Sequence, residues 1–592
     1  MQAVSCLGEE AVLNRQENDP NKQITHHNRY RKRIGIQKTS ICMTFTTSHS
    51  PISAESSFPN GIVLIHPPAV SKRYLKTKFM PYGMAVIYAY LKEHIIPVRQ
   101  YDFLMQYLFD SPDDVNYHDP DRTFSEEEFF NHFNRTQLHA RLSAFVEKYI
   151  ERIPHDAQIY AFSIVAYHQF WASLLLASQL RLINPSAKIV FGGPFITIKP
   201  AESFVPYSGA DYWIKGNGEI PLLMLMKTAH TSPNPTLMKD IPGLIYRLNG
   251  QTIENPKSEM RAEDERTPDF EGLDLSRYRY DHPLTGDQTL FLPYRISKGC
   301  PSQCSFCTGR LVDRYDVKSI DKVVSELLSL SDLYGTSNFM FADASINGSP
   351  RLLSKLCDRL REIFPSIKWY AYARVRGFDP ELLRKVKQAG CFSLFWGVES
   401  AYQPTIELLG KRFKVEHMYD LLDEAISVGI KNYVHLVYNT PHESQDDITS
   451  LVKLINRYIN NDLVVFLPQR FLLEPQSLMY EKPEDYGLEN IEKVQGSVFE
   501  REEFIYEEIN SPLQDSISDR NEEHRKLLAD HLELIQYRNL QNQANDNLAG
   551  WLPAKLLLWI GKLAKKFKAI EVVHRRLVTW LQSRKSGYRE QM

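Results

Sequence analysis

The sequence predicts an α/β protein with a doubly wound, Rossmann-like domain, a partial (β/α)6 barrel of the TIM type and a helical C-terminal tail. Short apolar strands alternate with helical segments over residues 61–230 and again over residues 290–470. This alternation is typical of parallel sheets covered by helices, and six strand–helix units are too few to close an eight-stranded barrel. Both folds bind ligands at the carboxyl ends of their strands, so we expect the functional residues there.

Composition and periodicity divide the chain into five segments. We expect residues 1–58 to form a disordered extension, because turn-forming residues dominate there. The doubly wound domain follows over 59–230, and a Pro- and Asp-rich linker with one hairpin occupies 231–288. The barrel is expected over 289–489. Residues 490–592 have a polar, helical pattern and end in a basic amphipathic stretch.

Charge limits the classes of partner. The net charge is −2 over 592 residues, which excludes a polycation that binds nucleic acid along its whole length, and no nucleic acid is expected as a partner. The stretch from Trp551 to Met592 differs, with six lysines and four arginines against two glutamates. We expect this stretch to pack its apolar stripe on the barrel, and contact with a membrane or a peptide is the alternative.

Cysteine usage and hydropathy indicate the compartment. Seven cysteines are too few for a disulfide framework. The N-terminus lacks a secretory signal, and no apolar run approaches the roughly 20 residues that cross a bilayer. These features predict a cytoplasmic protein.

Three of the seven cysteines lie within eight residues, directly after a predicted barrel strand over 292–297. They are Cys300, Cys304 and Cys307. Thiolates favour iron–sulfur clusters, zinc or copper(I). Structural zinc requires a fourth ligand nearby, and the nearest upstream candidate, His282, lacks a paired spacing. Four-iron clusters usually take four cysteines, so three would leave one iron with an open coordination site. The spacing therefore favours a reactive cluster.

With Phe306 before Cys307, the segment fits the pattern CxxxCxΦC, in which Φ is aromatic, and here the sequence resembles the radical S-adenosylmethionine (SAM) superfamily. The resemblance implies a [4Fe-4S] cluster on the three cysteines, with SAM bound at the open iron. It also implies that an electron from a reductant such as flavodoxin or ferredoxin cleaves SAM to a 5′-deoxyadenosyl radical. These cofactors carry the chemistry and the protein orients them, so no catalytic residue is assigned beyond the cluster.

Polar residues at later strand ends align with the same superfamily. Segment 396–400, Trp-Gly-Val-Glu-Ser, is similar to a pattern of its cobalamin-associated branch. Each polar residue alone could equally be a helix cap or a surface ion pair, and their common order supports the resemblance. The resemblance implies SAM contacts at Phe306, Asp343, Arg374, Glu399 and Ser400.

The first domain extends the resemblance to the cobalamin-binding radical SAM proteins. Glycines at predicted strand ends allow the backbone to approach a large, flat ligand. The resemblance implies cobalamin contacts at these positions: Ser163, Gly192, Gly193, Gly216, Gly218 and Glu219. The DxHxxG motif that supplies an axial histidine elsewhere is absent, and many relatives bind cobalamin without one. We therefore expect His66, just after the first strand, to be a polar loop residue rather than a cobalt ligand.

Together these resemblances imply a cobalamin-dependent C-methyltransferase that acts on an unactivated carbon of a small-molecule or peptide substrate. Two alternatives stay open from the sequence. One is a cobalamin-associated radical enzyme that cyclises or rearranges its substrate. The other is a non-catalytic binding protein that a metal stabilises.

Overall fold

The computed structural model describes residues 57–69, 80–109, 126–135, 138–207, 209–228, 235–257, 259–282, 285–494, 502–509 and 517–543. Almost all of the expected N-terminal extension and the whole basic stretch from Trp551 to Met592 lie outside the described residues. The predictions for these two segments therefore stay predictions.

The first domain is built on a sheet in which five parallel strands are followed by an antiparallel hairpin. The strand order is β2-β1-β3-β4-β5-β6-β7, and the parallel part, 2-1-3-4-5, is a doubly wound order. The strands are β1 (Ile62–His66), β2 (Val98–Asp102), β3 (Ile159–Ser163), β4 (Lys188–Gly192), β5 (Tyr212–Ile214), β6 (Leu244–Leu248) and β7 (Gln251–Glu254).

Two expectations for this sheet need correction. The hairpin β6–β7 was expected within a linker, but β6 pairs antiparallel with β5 and completes the sheet. His66 was expected in a loop, but it is the last residue of β1 and is buried. Both differences arise because strand pairing depends on partners that are distant in the sequence.

Helices cover both faces of the first sheet. Within β1, Val63 and Ile65 enter one apolar cluster and Ile62 and Leu64 enter the other, as the two-residue period of a doubly covered strand requires. The helices are α1 (Tyr82–Glu93), α2 (Phe103–Phe109), α3 (Glu126–Phe133), α4 (Ala140–Ile150), α5 (Tyr167–Ile183), α6 (Pro194–Ile198), α7 (Glu219–Thr228) and α8 (Pro235–Met238).

A connecting segment over 259–291 lies along both domains. It contains the short strands β8 (Arg279–Asp281) and β9 (Gln288–Leu290). The side-chain amide of Gln100, on β2, donates to the carbonyls of Asp269 and Glu271 at 2.8 and 2.7 Å. The segment is thereby fixed to the first sheet.

The second domain contains a six-stranded parallel sheet in the order β10-β13-β14-β15-β16-β17. Every neighbouring pair is parallel, as expected for a partial barrel. The strands are β10 (Leu292–Tyr294), β13 (Asn338–Phe341), β14 (Lys368–Ala373), β15 (Cys391–Glu399), β16 (Lys431–Tyr438) and β17 (Val464–Arg470). A separate antiparallel pair, β11 (Ser297–Lys298) and β12 (Asp316–Val317), stands just after β10.

The barrel helices follow from local sequence signals. α10 buries Leu353, Leu356, Cys357 and Leu360, the spacing of one helical face. α9 ends at Gly335, which adopts the left-handed conformation. The helices are α9 (Ile320–Tyr334), α10 (Pro350–Ile363), α11 (Pro380–Gln388), α12 (Gln403–Leu408), α13 (Val415–Ser427) and α14 (Gln445–Tyr458).

The region after the barrel is only partly helical. α15 (Leu478–Glu481) is followed by a hairpin of β18 (Leu488–Lys493) and β19 (Phe504–Glu508), where the sequence had predicted helix from residue 490. α16 (Ile517–Gln543) then packs Leu528 and Ile535 into the barrel core. None of the helices in the described ranges is long and apolar enough to cross a bilayer.

Candidate functional site

The three cysteines lie in a loop that β11 and β12 close at its base. The chain enters the loop through Gly299, whose φ is +65° and where a Cβ atom would stand 2.4 Å from the carbonyl oxygen of Asp313. Only glycine fits this turn without displacing the backbone. The hydroxyl of Ser305 donates to the carbonyl of Leu408 at 2.8 Å, which fixes the far side of the loop to the end of α12. The loop is thus closed at its base and tied to the barrel at Ser305.

The thiols of the loop are free and share one neighbourhood. Cys300 and Cys304 are half-buried and Cys307 is exposed. Burial raises the pKa of the Cys304 thiol, the ammonium of Lys411 opposes that rise, and the charges of Cys307 and Cys300 add to it. The sulfur of Cys304 therefore lies close enough to those of Cys300 and Cys307 for their charges to act on it.

This donor set fits a polynuclear cluster. Within the described residues, no three His, Cys, Asp or Glu side chains converge closely enough to hold a single metal ion. Each thiolate of a cubane binds a different iron, so its ligands stand farther apart than those of one ion. Three soft thiolates in one loop, with a cationic side chain nearby, are a donor set that an iron–sulfur cluster accepts.

Two charged residues, Glu399 and Lys411, stand beside the loop. Glu399 ends β15 with a φ of +69°, a strained value for a residue with a side chain. Its carboxylate accepts a hydrogen bond from Lys411 Nζ at 2.7 Å. The same ammonium lies 5.4 Å from the ring centre of Phe306. Glu399 at the end of β15 and Lys411 after α12 therefore form an ion pair beside the aromatic residue of the cysteine motif.

Arg374 fastens the cysteine loop to the barrel. One terminal nitrogen of its guanidinium donates to the hydroxyl of Ser302, between the first two cysteines, at 2.5 Å. The other donates to the carbonyl of Asn347 at 3.1 Å, and Nε donates to Ser345 at 3.1 Å. The planar fork thus joins the loop to the segment after β13.

Asp343 and Ser400 use their polar atoms within the protein. Asp343 is buried and accepts from the backbone N–H and hydroxyl of Ser297 at 2.7 and 2.5 Å. Burial raises the pKa of Asp343 to about 6, although these hydrogen bonds oppose the rise. Ser400 is buried as well, and its hydroxyl donates to Asp447 at 3.0 Å. Their expected contacts with SAM stay predictions.

The residues expected to contact cobalamin fall into two groups. Ser163 and Gly192 end β3 and β4 side by side in the sheet. At Gly193 φ is +94°, and a Cβ atom would stand 2.5 Å from the carbonyl oxygen of Ile164. These three positions form one half-buried stretch of the carboxyl edge, where a doubly wound sheet binds ligands.

The second group, at the start of α7, faces the barrel. A Cβ atom at Gly218 would stand 2.8 Å from the side chain of Ile87 on α1, so this glycine permits close helix packing. Glu219 is buried, which raises the pKa of its carboxyl, and the charge of Lys298 opposes that rise. Gly216 has a φ of +86° and donates its N–H to the hydroxyl of Thr197 at 3.0 Å.

Contacts between the domains meet at the base of the cysteine loop. The side-chain oxygen of Asn217 accepts from Lys298 Nζ at 2.6 Å, two residues before Cys300. Lys257 Nζ donates to the carbonyl of Leu311 at 2.9 Å, on the far side of the cysteines. The first domain and its hairpin therefore touch both arms of the loop.

A buried ionic network at the same junction has no local signal in the sequence. Glu265, in the connecting segment, is 1% exposed. It accepts from Arg295 Nε at 3.0 Å and from the hydroxyl of Tyr82 at 2.9 Å, and it lies 3.4 Å from Lys318 Nζ. Burial alone would raise the pKa of Glu265, but Arg295 and Lys318 outweigh it and lower the pKa to about 2.

Comparison with known proteins identifies the barrel. Residues 294–455 match the family model described as the Radical SAM superfamily. A protein named as an uncharacterized methyltransferase of Pyrococcus horikoshii is 24% identical over 286 residues, 48% of this chain and 60% of that protein. An anaerobic magnesium-protoporphyrin IX monomethyl ester cyclase of Cereibacter sphaeroides is 27% identical over 240 residues, 39% of this chain and 38% of that protein. The chain spans about half the length of the curated relatives it matches.

Solved structures share the fold of both domains. The radical SAM methyltransferase TsrM from Kitasatospora setae, with cobalamin and a [4Fe-4S] cluster bound, has a TM-score of 0.55 at 17% identity and covers 88% of this chain and 100% of its own. The cobalamin-dependent radical enzyme OxsB, with aqua-cobalamin and SAM bound, has a TM-score of 0.57 at 14% identity and covers 87% of this chain and 72% of its own. Residues 294–455 therefore match the radical SAM superfamily, and the whole chain shares with the two solved structures a fold in which a barrel follows a doubly wound domain.

Proposed function

We propose that this chain is a cobalamin-dependent radical SAM methyltransferase that acts on an unactivated carbon of a small-molecule or peptide substrate. The observation that carries the proposal is the cysteine loop, which presents three free thiols and is fastened on both arms to the first domain. A ligand at the first carboxyl edge and a cluster on the loop would thus share one protein junction. Relatives named as methyltransferases support the choice of reaction.

When bound, the cluster and SAM supply a hydrogen-abstracting radical, and cobalamin supplies a methyl group. The thiolates of Cys300, Cys304 and Cys307 would hold the cluster. Lys411 places a positive charge beside these thiolates, which offsets part of their mutual repulsion.

Several residues of the chain keep the site rigid and partly dry. Asp343 holds Ser297, which precedes the cysteines, and Arg374 holds Ser302, which lies between Cys300 and Cys304. Phe306 is half-buried against a small apolar cluster behind the loop, which restricts water. The exposed side of the loop at Cys307 gives a reductant such as flavodoxin or ferredoxin an approach to the cluster.

A radical cyclisation or rearrangement is the second candidate, because cyclases of two bacteria are among the relatives. It needs the same cysteine loop, so the loop alone does not separate the two reactions. The product does: methyl transfer adds one CH2 to the mass of the substrate, a rearrangement leaves the mass unchanged, and a ring closure that removes two hydrogens lowers it by H2.

The proposal is tested on the full chain, purified and reconstituted without oxygen. We expect iron, sulfide and a corrinoid to be bound, and dithionite to induce cleavage of SAM. Cys304→Ala should lose the visible absorption of the cluster and this cleavage. The control is Cys357→Ala, at a buried thiol on α10. Full SAM cleavage by Cys304→Ala, or a chain that binds no iron, would contradict the proposal.

A further inference from the structure

The inner face of the barrel sheet is covered less completely than its outer face. Along β14 and β15, the outward side chains of Trp369, Leu394 and Trp396 are buried in the core that the sheet shares with its helices. The side chains of Tyr372 and Phe395 alternate with them, point inward and are only half-buried. The described part of the chain therefore leaves a concave surface partly open inside the barrel.

Aromatic rings form that surface. The sheet register places Tyr372, Phe395 and Tyr433 in one row across β14, β15 and β16. The ring centre of Phe395 lies 5.2 Å from that of Tyr372 and 4.3 Å from that of Tyr433, and the planes of the second pair are 5° apart. The half-buried ring of His435, nearer the carboxyl end of β16, lies 6.1 Å from Tyr372. The row is thus a continuous aromatic surface.

A second group of rings closes the amino end of the barrel. Phe291, Tyr370 and Phe392 pack together there, with ring centres 5.4 to 5.8 Å apart. Tyr370 also lies 5.8 Å from Phe395, so this floor is continuous with the row above it. Floor and row together form a cup. A ligand reaches the row from the carboxyl end, where the cysteine loop stands.

The row of rings is an uncharged environment. Burial raises the pKa of Tyr372 and raises that of Tyr433 to about 12, and no neighbouring charge contributes to either rise. Charges appear at the mouth of the cup, where Glu399 and Lys411 act on His435. A charged group bound against the row would lose its hydration without gaining a partner.

Two tyrosines of the row keep their hydrogen-bonding capacity. The hydroxyls of Tyr372 and Tyr433 have no hydrogen-bond partner in the described part of the chain. The buried hydroxyls of Tyr278 and Tyr294, in contrast, donate to carboxylates at 2.6 Å. Because polar groups in a protein interior normally have partners, the two open hydroxyls point to a bound polar group.

We propose that the cup binds the substrate through an uncharged, flat ring system that carries a hydrogen-bonding substituent. This inference rests on the proposed function and names its substrate class. Aromatic rings gain more from an aromatic partner than from an aliphatic one of equal area. The hydroxyls of Tyr372 and Tyr433 would bind the substituent, and the ring would lie below the cysteine loop.

The test is equilibrium dialysis at pH 7 of the full chain with its cluster, corrinoid and SAM, without a reductant. The probes are 2-naphthol, which is flat and uncharged, decahydro-2-naphthol, which is saturated, and 2-naphthoate, which is flat and charged. We expect 2-naphthol to bind about two- to tenfold more tightly than its saturated analogue, and at least about tenfold more tightly than 2-naphthoate. Equal or tighter binding of either other probe, or no binding of 2-naphthol, would overturn the inference.

Variants locate the binding. Phe395→Leu keeps an apolar side chain without the central ring and should abolish the preference for 2-naphthol over its saturated analogue. Tyr90→Leu, on α1 outside the barrel, should keep that preference. An unchanged preference in Phe395→Leu would place the probe elsewhere and overturn the assignment.

A gentler variant removes only the hydroxyls. Tyr372→Phe combined with Tyr433→Phe keeps both rings and should weaken the binding of 2-naphthol about two- to tenfold. Unchanged affinity would overturn the role of the two hydroxyls. A wild-type chain that cleaves SAM but does not prefer 2-naphthol would refute this inference alone, and a chain that binds no iron would refute the proposed function whatever the probes show.

Discussion

At the carboxyl edge of the barrel, Arg374 and Glu399 are held in place by hydrogen bonds and an ion pair, whereas the edge of the first sheet offers glycine backbone. The first arrangement suits a small, charged ligand, because fixed charges are costly to bury without partners. The second suits a broad, flat ligand that approaches the backbone closely. Substitutions at the two edges should therefore affect the binding of different cofactors.

Among these variants, Gly193→Ala should produce the largest difference between the two edges, measured as the cofactor that each still binds. The new Cβ atom would stand 2.5 Å from a backbone oxygen at a φ of +94°. Backbone strain of this kind costs about 1–3 kcal/mol, and the backbone must also move away. We expect corrinoid binding to be lost and iron content to be retained, as measured by absorption spectra and metal analysis.

The matched control for that variant is Gly83→Ala. At Gly83, on α1, an added Cβ atom would meet nothing within 4 Å, and alanine favours a helix. It should leave both cofactors bound. If Gly193→Ala also binds corrinoid normally, the first edge is not the cobalamin site.

Arg374→Ala should weaken the barrel edge alone. It removes the guanidinium that joins Ser302 to the segment after β13. We expect a several-fold loss of iron per chain, with corrinoid content unchanged. Arg384→Ala, which removes an exposed ion pair to Glu424, should leave the iron content as in the wild type. Equal iron content in the two variants would show that cluster binding by the cysteine loop does not require the hydrogen bonds of Arg374.

Asn217→Ala should have the smallest of these effects. It tests whether the contact between Asn217 and Lys298 holds the first domain against the barrel. The substitution removes the acceptor at 2.6 Å from the buried ammonium of Lys298. Lys298 would keep only its longer hydrogen bond, 3.4 Å, to the carbonyl of Met260, so the loss lies below the roughly 1–3 kcal/mol of a buried donor left with no partner. We expect both cofactors to bind and limited proteolysis in the connecting segment to become faster. Gln251→Ala, exposed on β7, should digest as the wild type does. Unchanged proteolysis in Asn217→Ala would mean that the domains dock without this contact.

The features that could be predicted from the sequence are those marked by a pattern of neighbouring residues. The cysteine loop, the alternation of strands and helices, and the hairpin expected within residues 231–288 each have a signal in a short stretch of sequence. The docking of that hairpin on β5 has no such signal, because either edge of a sheet can accept a strand.

The details of the site depend on contacts between distant segments. The hydroxyl of Ser400 donates a hydrogen bond to Asp447. His66 and Asp102 come together only when β1 and β2 are paired in register. Glu265 reads as one acidic residue in a polar segment. Its partners on the barrel come from positions 30 or more residues away, and residue type at such separations does not specify a pair.

The buried carboxylate of Glu265 also limits the positions at which the chain can be truncated without destabilising the barrel. Removal of one member of a buried ion pair leaves an uncompensated charge and is strongly destabilising. A barrel excised from residue 289 onward would lose the acid that Arg295 and Lys318 share, and would leave Arg295 with Asp313 at 3.8 Å and Lys318 with Glu326 at 3.0 Å. A dissection that preserves the barrel must therefore begin before Glu265, in the stretch between β7 and that residue.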